Sequence, residues 1–247
     1  MKMQPWLQWL GRHFQGHVFL FEAKRPLPVY DSSAGLRLLL IFILLEGVIG
    51  PRLPLCRVFG LPLPPTWLRV PVLLVLAMVL VRFFAGMRLA QIGLFRWTDW
   101  SVTEKSYFVQ VFLIANVVFG ILFAERLQMI LADLGFWWRP AAVVIFTNFL
   151  WGFHQELVYR GILQTELVRR WGSLVGILVS NLFFTFGPLH FYHFSGVPGR
   201  VFPMFTGIFL IGLFFGVLFR RSGNLAIVSV LHGLGNCYID GLSTLGL

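Results

Sequence analysis

Three short polar runs interrupt an otherwise apolar sequence, and their residue types point to hydrolysis. The first reads Trp151-Gly-Phe-His-Gln-Glu-Leu-Val-Tyr-Arg-Gly161. Glu156 and Arg160 stand four residues apart, so on a helix they share a face and can pair. The second reads Phe183-Phe-Thr-Phe-Gly-Pro-Leu-His190, with Phe186 one helical turn before a His190 that closes the helix. The third reads Val230-Leu-His-Gly-Leu-Gly-Asn236. His232 and Asn236 are again four apart and point the same way. Gly233 and Gly235 thin the neighbouring surface, which lets another backbone approach closely.

A carboxylate beside an imidazole can take a proton from water held between them. With Arg160 balancing its charge, Glu156 can serve as general base. His232 and Asn236 offer N–H donors that, aimed at a peptide carbonyl, stabilise the developing oxyanion. The reaction class is peptide-bond hydrolysis by activated water, without a covalent intermediate. Each run also has a plainer reading. Glu156 and Arg160 can be an ion pair that locks helices, His190 a hydrogen-bonding residue at a helix end, and His232 with Asn236 interhelical glue. Glu156, His190 and His232 could also ligate zinc as a two-His, one-carboxylate set. The chain has no His-Glu-x-x-His, and Asn236 is an unusual zinc ligand, so no metal or other cofactor is expected. Cys237 lies five residues from His232 and reads as a small buried thiol. With Cys56 it gives no disulfide framework.

The elements that must position these groups are transmembrane helices. Of 247 residues, 57% are hydrophobic and only 12% charged, where soluble domains hold about 25% charged. Apolar blocks of bilayer-crossing length predict an all-α, polytopic transmembrane helical bundle of about seven spans. They fall near residues 36–50, 67–86, 107–124, 140–168, 174–190, 202–219 and 225–242, with Glu46 inside the first. An amphipathic stretch at 125–138 reads as interfacial. Three segments follow: an N-terminal interfacial or cytoplasmic segment 1–34, N-terminal helices and loops 35–139, and a catalytic core 140–247. The net charge of +10 does not imply nucleic acid, because no compact soluble domain remains to present a basic face. The Lys and Arg residues sit between apolar blocks, and their distribution favours a cytoplasmic N-terminus.

Depth brings the runs together. Counting about 1.5 Å per residue from the cytoplasmic ends, Glu156 lies about 20 Å in, His190 about 25 Å and His232 about 12 Å. Helix tilts of about 20° absorb part of that spread. A carboxylate, two imidazoles and a carboxamide can therefore converge from three helices.

At this point the sequence resembles the CAAX-protease and bacteriocin-processing family of intramembrane proteases. That family carries Glu-Glu-x-x-x-Arg, Phe-x-x-x-His and His-x-x-x-Asn/Asp on successive transmembrane helices. Here Gln155-Glu156-x-x-x-Arg160, Phe186-x-x-x-His190 and His232-x-x-x-Asn236 occur in that order. The resemblance implies that a glutamate and the middle His activate water and that the last His and Asn form the oxyanion hole. It implies a membrane-anchored protein or peptide substrate and a bacterial inner membrane. The chain departs from the pattern at Gln155, where the family has the glutamate usually assigned as base, and an amide cannot accept a proton at neutral pH. Three accounts stay open: Glu156 takes the role, another group acts as base while Gln155 orients water, or the chain is a non-catalytic binding or scaffold relative. A proton-coupled transporter is a further alternative, without an inverted repeat to support it.

Overall fold

The computed structural model describes residues 25, 27–50, 58–60, 64–188, 190, 199 and 201–240. Most of the expected N-terminal segment 1–34, Cys56 and the end of the expected last span lie outside them. Within the described residues every regular element is helical.

Helix α1 spans Ser32–Phe42 and runs on as π-helical turns over Ile43–Val48. Asp31 caps it, its carboxylate accepting the Ala34 N–H at 2.6 Å, which satisfies one of the free donors of the first turn. That bond and one from Ser33 hold the Asp31 carboxyl below its ordinary pKa. Helix α2 is Thr66–Val79, extended by Leu80–Phe84. Helix α3, Val102–Leu122, opens with a capping box: Ser101 accepts from Glu104 N at 3.2 Å, and the Glu104 carboxylate accepts from Ser101 N at 2.8 Å. Helix α4, Ala124–Glu156, passes through a fully buried π-helical segment, Leu157–Gln164, into α5, Thr165–Phe186. Helices α6, Val201–Ser222, and α7, Leu225–Asp240, complete the bundle.

Four helical stretches are long and apolar enough to cross a membrane: Thr66–Phe84, Val102–Leu122, Ile145–Phe186 and Val201–Ser222. The stretch Ile145–Phe186 holds 42 residues, about twice what one crossing needs. It is two antiparallel legs. Gly172, at φ 79° and ψ 169°, adopts a conformation that side chains disfavour, and the chain reverses there. Gly176 then packs on Val168, Ser180 Oγ lies 3.4 Å from Gln164 Oε1, and Phe184 packs edge-on against Tyr159 at 5.2 Å. The expected break between 168 and 174 falls at this turn. Among the described residues the other two expected spans are represented by shorter helices, Leu225–Ile239 and α1, which holds 11 α-helical residues before its π-turns.

One expected boundary is absent. The amphipathic stretch 125–138 and the span from Pro140 are a single helix, α4, so the division at 139/140 falls mid-helix. Proline forfeits one backbone hydrogen bond, and a membrane-embedded helix tolerates that where its neighbours satisfy the freed carbonyl.

The π-helical segment is the centre of the bundle, with all eight residues buried. π-turns widen the helix and leave carbonyls without their usual i→i+4 donor. Thr165 Oγ1 donates to Arg160 O at 3.1 Å. Arg160 and Gln164 in turn donate to the carbonyls of Gly212 and Gly216 on α6, at 2.9 and 2.8 Å.

Candidate active site

Two glycines set the spacing on which the site depends. A Cβ on Gly152 of α4 would sit 2.7 Å from the nitrogen of Gly233 and 2.9 Å from its Cα on α7. The two backbones touch, so the residue before Gly233 reaches across to the next turn of α4. His232 Nδ1 meets Glu156 Oε1 at 2.6 Å. The other carboxylate oxygen lies 3.3 Å from Arg160 Nε, one turn further along. Glu156 and Arg160 are fully buried and His232 nearly so.

Aromatic rings wall this triad. Phe215 of α6 stacks on the His232 ring at 4.9 Å. Phe184 of α5 stands edge-on to His232 at 5.9 Å and to His190 at 4.7 Å, and the Arg160 guanidinium lies 4.7 Å above its ring. A guanidinium over an aromatic face is stabilised by the ring quadrupole, so Phe184 and Gly212 O help hold Arg160 in an apolar setting. Low-dielectric walls also strengthen the Glu156–His232 attraction relative to water.

The structure joins the sequence candidates differently from the expectation. Glu156 pairs with Arg160, as the spacing allows, and its other carboxylate oxygen meets His232 of α7. His190 does not close α5. That helix ends at Phe186, because Gly187 is extended at ψ 172° and Pro188 follows. The chain turns there, His190 N donates to Gly187 O at 3.1 Å, and His190 Nδ1 comes within 2.6 Å of Phe184 O. Phe186 is 54% exposed and stacks on Phe205 at 5.0 Å, while Phe184 holds the central position. Asn236 lies one turn beyond His232, its Nδ2 3.5 Å from Asn148 O. Gln155 is buried, and its amide oxygen has no hydrogen-bond partner among the described residues.

Sequence reasoning missed Phe184, Phe215 and Tyr159. No motif spacing marks them, and in a chain with 27 Phe composition singles out none. Among the described residues no three His, Cys, Asp or Glu side chains form a metal-ligating group. Cys237 Sγ faces Ile145 O at 3.7 Å, away from His232.

Chemically, the arrangement is a carboxylate–imidazole dyad with a fixed ring. With Nδ1–H given to Glu156, Nε2 on the far side of the ring is left to bond another group. It donates to an oxyanion when the ring is an imidazolium and accepts a proton when the ring is neutral. Asn236 adds a second donor, an amide, on the same face of α7.

Residues 136–238 match the family model for Rce1-like type II CAAX prenyl endopeptidases. That segment begins within α4 and holds the π-helical segment, α5, α6 and all but the last residues of α7. It carries every candidate named above. No curated protein and no solved structure matches the chain significantly.

Proposed function

We propose that this integral membrane protein, whose residues 136–238 belong to the Rce1-like family of CAAX-type intramembrane proteases, is an endopeptidase. It hydrolyses a peptide bond in a membrane-anchored protein or peptide with activated water. The observation that carries the reading is the buried Glu156–His232 contact of 2.6 Å between residues 76 apart in sequence. An isolated charge at this depth is costly, and a helix lock would serve as well with apolar packing.

In this reading His232 Nε2–H and the Asn236 amide bind the carbonyl oxygen of the scissile bond. They hold it more tightly as negative charge develops in the transition state. Glu156 fixes the His232 ring and balances its charge, and Arg160 holds Glu156. His190 stands edge-on to the same Phe184 ring and helps place the attacking water. The reading assigns no cofactor. A cytoplasmic N-terminus is supported by the cleft at one end of the bundle, where Arg25, Arg88 and Arg220 lie together, as basic residues do on the cytoplasmic side. The bacterial inner membrane is the family's setting carried over.

The test is cleavage of a farnesylated CAAX-type peptide by the purified chain in detergent. His232→Ala and Asn236→Ala each lower kcat by about 10²–10³-fold, the usual effect of losing one oxyanion donor. Variants that cleave as fast as the parent would sink the assignment. Gln155 favours a second reading, a family member that kept the fold and binds substrate without turnover. A parent that binds the peptide without cleaving it, and cleaves once Gln155→Glu is introduced, decides for that one.

A further inference from the structure

Water must give up a proton before it attacks, and position 155, where the resembled family carries its base, holds an amide. Gln155 cannot accept one at neutral pH. Glu156 is paired with His232 at 2.6 Å through one oxygen, and its other oxygen lies 3.3 Å from the Arg160 guanidinium, which favours the ionised carboxylate and weakens it as a base. A further buried acid lies outside residues 136–238: Glu46, 4% exposed, in the π-helical end of α1.

The register of α1 places Glu46. This helix runs antiparallel to the central segment. At its start Gly35 lies against the Glu166 carboxylate, and Tyr30 OH donates to the same carboxylate at 2.8 Å. Seven residues on, Phe42 packs edge-on against Tyr159 at 5.6 Å, seven residues back from Glu166. Four more residues along α1 bring Glu46 level with Gln155. The side-chain contacts agree, since the Glu46 carboxylate faces the Tyr159 hydroxyl. Tyr159 lies four residues beyond Gln155 and shares its helix face. That hydroxyl would stand 3.1 Å from a Cβ on Gly187, whose carbonyl accepts the His190 N–H. Glu46, Gln155, Tyr159 and the turn carrying His190 therefore border one place.

We propose that Glu46 is the carboxylate that activates water in this chain, supplying from α1 the acid that position 155 lacks. The proposal rests on the protease reading. The Glu46 carboxylate takes one proton from water, oriented by the Gln155 amide oxygen and His190. The resulting hydroxide oxygen bonds to the peptide carbonyl carbon, and the carbonyl π electrons move to the oxygen held by His232 and Asn236. When the tetrahedral intermediate collapses, the C–N bond breaks and Glu46 returns its proton to the leaving nitrogen. The new carboxylic acid loses its own proton to solvent. Tyr159, whose hydroxyl lies beside the Glu46 carboxylate, is a positioning residue.

The test compares the full-length parent with Glu46→Gln, Gln155→Glu and the double variant, on the farnesylated peptide, with melting temperatures recorded. Glu46→Gln is expected to lower kcat at least 100-fold with KM little changed, within the range for losing a general base. Adding Gln155→Glu to Glu46→Gln should restore kcat to within about tenfold of the parent and bring back the acid limb of its pH profile. Cleavage by Glu46→Gln within about threefold of the parent, while His232→Ala is inactive, overturns the proposal and leaves the protease reading standing. Loss that Gln155→Glu does not recover, at any melting temperature, also overturns it, because the role of Glu46 is then structural. A parent and a Gln155→Glu variant that are both inactive overturn the protease reading itself.

Discussion

Replacing Gly152 by alanine tests whether backbone contact between α4 and α7 builds the site. On helix propensity alone the change is favourable, since glycine in a helix interior costs about 1 kcal/mol relative to alanine. The structure reverses that sign. The added Cβ would lie 2.7 Å from Gly233 N, 2.9 Å from its Cα and 3.0 Å from His232 C, all backbone atoms that cannot rotate away. Ordinary contact begins at 3.4 Å, so the helices must part by 3.4 less 2.7, or 0.7 Å. Overpacking of this kind costs about 1–3 kcal/mol. The Glu156–His232 contact spans this gap at 2.6 Å, and stretching it by the same amount forfeits most of a charge-assisted hydrogen bond worth about 1.5–3 kcal/mol. The variant should melt several degrees below the parent in detergent. Cleavage should fall about 10²-fold, as expected for a displacement approaching 1 Å of a catalytic group. Gly207→Ala on α6 is the control, because nothing lies within 4 Å of its Cβ and only the favourable propensity acts. A Gly152→Ala variant that melts at or above the parent and cleaves normally would refute the close approach and the geometry built on it.

Two further outcomes follow from the same structure. Asp31 caps α1 from outside the apolar region, and its carboxyl pKa is depressed first by the Ala34 N–H and then by Ser33. A depressed carboxyl contributes stability that is complete above its unfolded value and lost as pH falls through the folded one. The parent should therefore lose melting temperature as pH drops below 3.8. Asp31→Asn, which caps without titrating, should flatten this acid dependence; an unchanged slope would show that the cap does not govern it. Activity on the farnesylated peptide should survive prolonged dialysis against a strong chelator, because the proposed chemistry uses protein groups and water alone. Loss on dialysis that zinc restores would instead favour the two-His, one-carboxylate alternative.

The helical class and the polar runs that interrupt it were legible because lipid allows few backbone solutions. Under that limit i,i+4 spacing fixes which side chains share a face. Glu156 with Arg160 and the turn between 168 and 174 were readable for that reason. What failed were inferences that carried a helix past a point where its backbone changes. The spacing Phe186 to His190 gives one face only if α5 continues, and Gly187 ends it. Residues 184 and 186 are about 200° apart around a helix, so Phe184 faces inward where Phe186 faces out. Conversely, Pro140 reads as the start of a new span, and α4 runs through it. Partner choice was not legible, since nothing local tells Glu156 that its imidazole comes from α7 rather than from the turn after α5. That is decided by Gly152 meeting Gly233, a contact between residues 81 apart.

Adjacent residues on a helix point about 100° apart, and this explains how Gln155 can stand where it does without disturbing the rest. The face bearing Glu156 and Arg160 looks toward α6 and α7, and its charges are balanced there by His232 and by the Gly212 carbonyl. The face bearing Gln155 and Tyr159 looks toward α1 and the turn that carries His190. A neutral amide at 155 removes a buried charge from the second face and leaves the ion pair of the first untouched. The same separation lets an acid from α1 enter the second face without repelling the carboxylate of the first, since Arg160 already balances Glu156. Two carboxylates serving one reaction beside adjacent faces of a single helix need not be neighbours in sequence, and the α1 register that brings Glu46 level with Gln155 is the arrangement this requires.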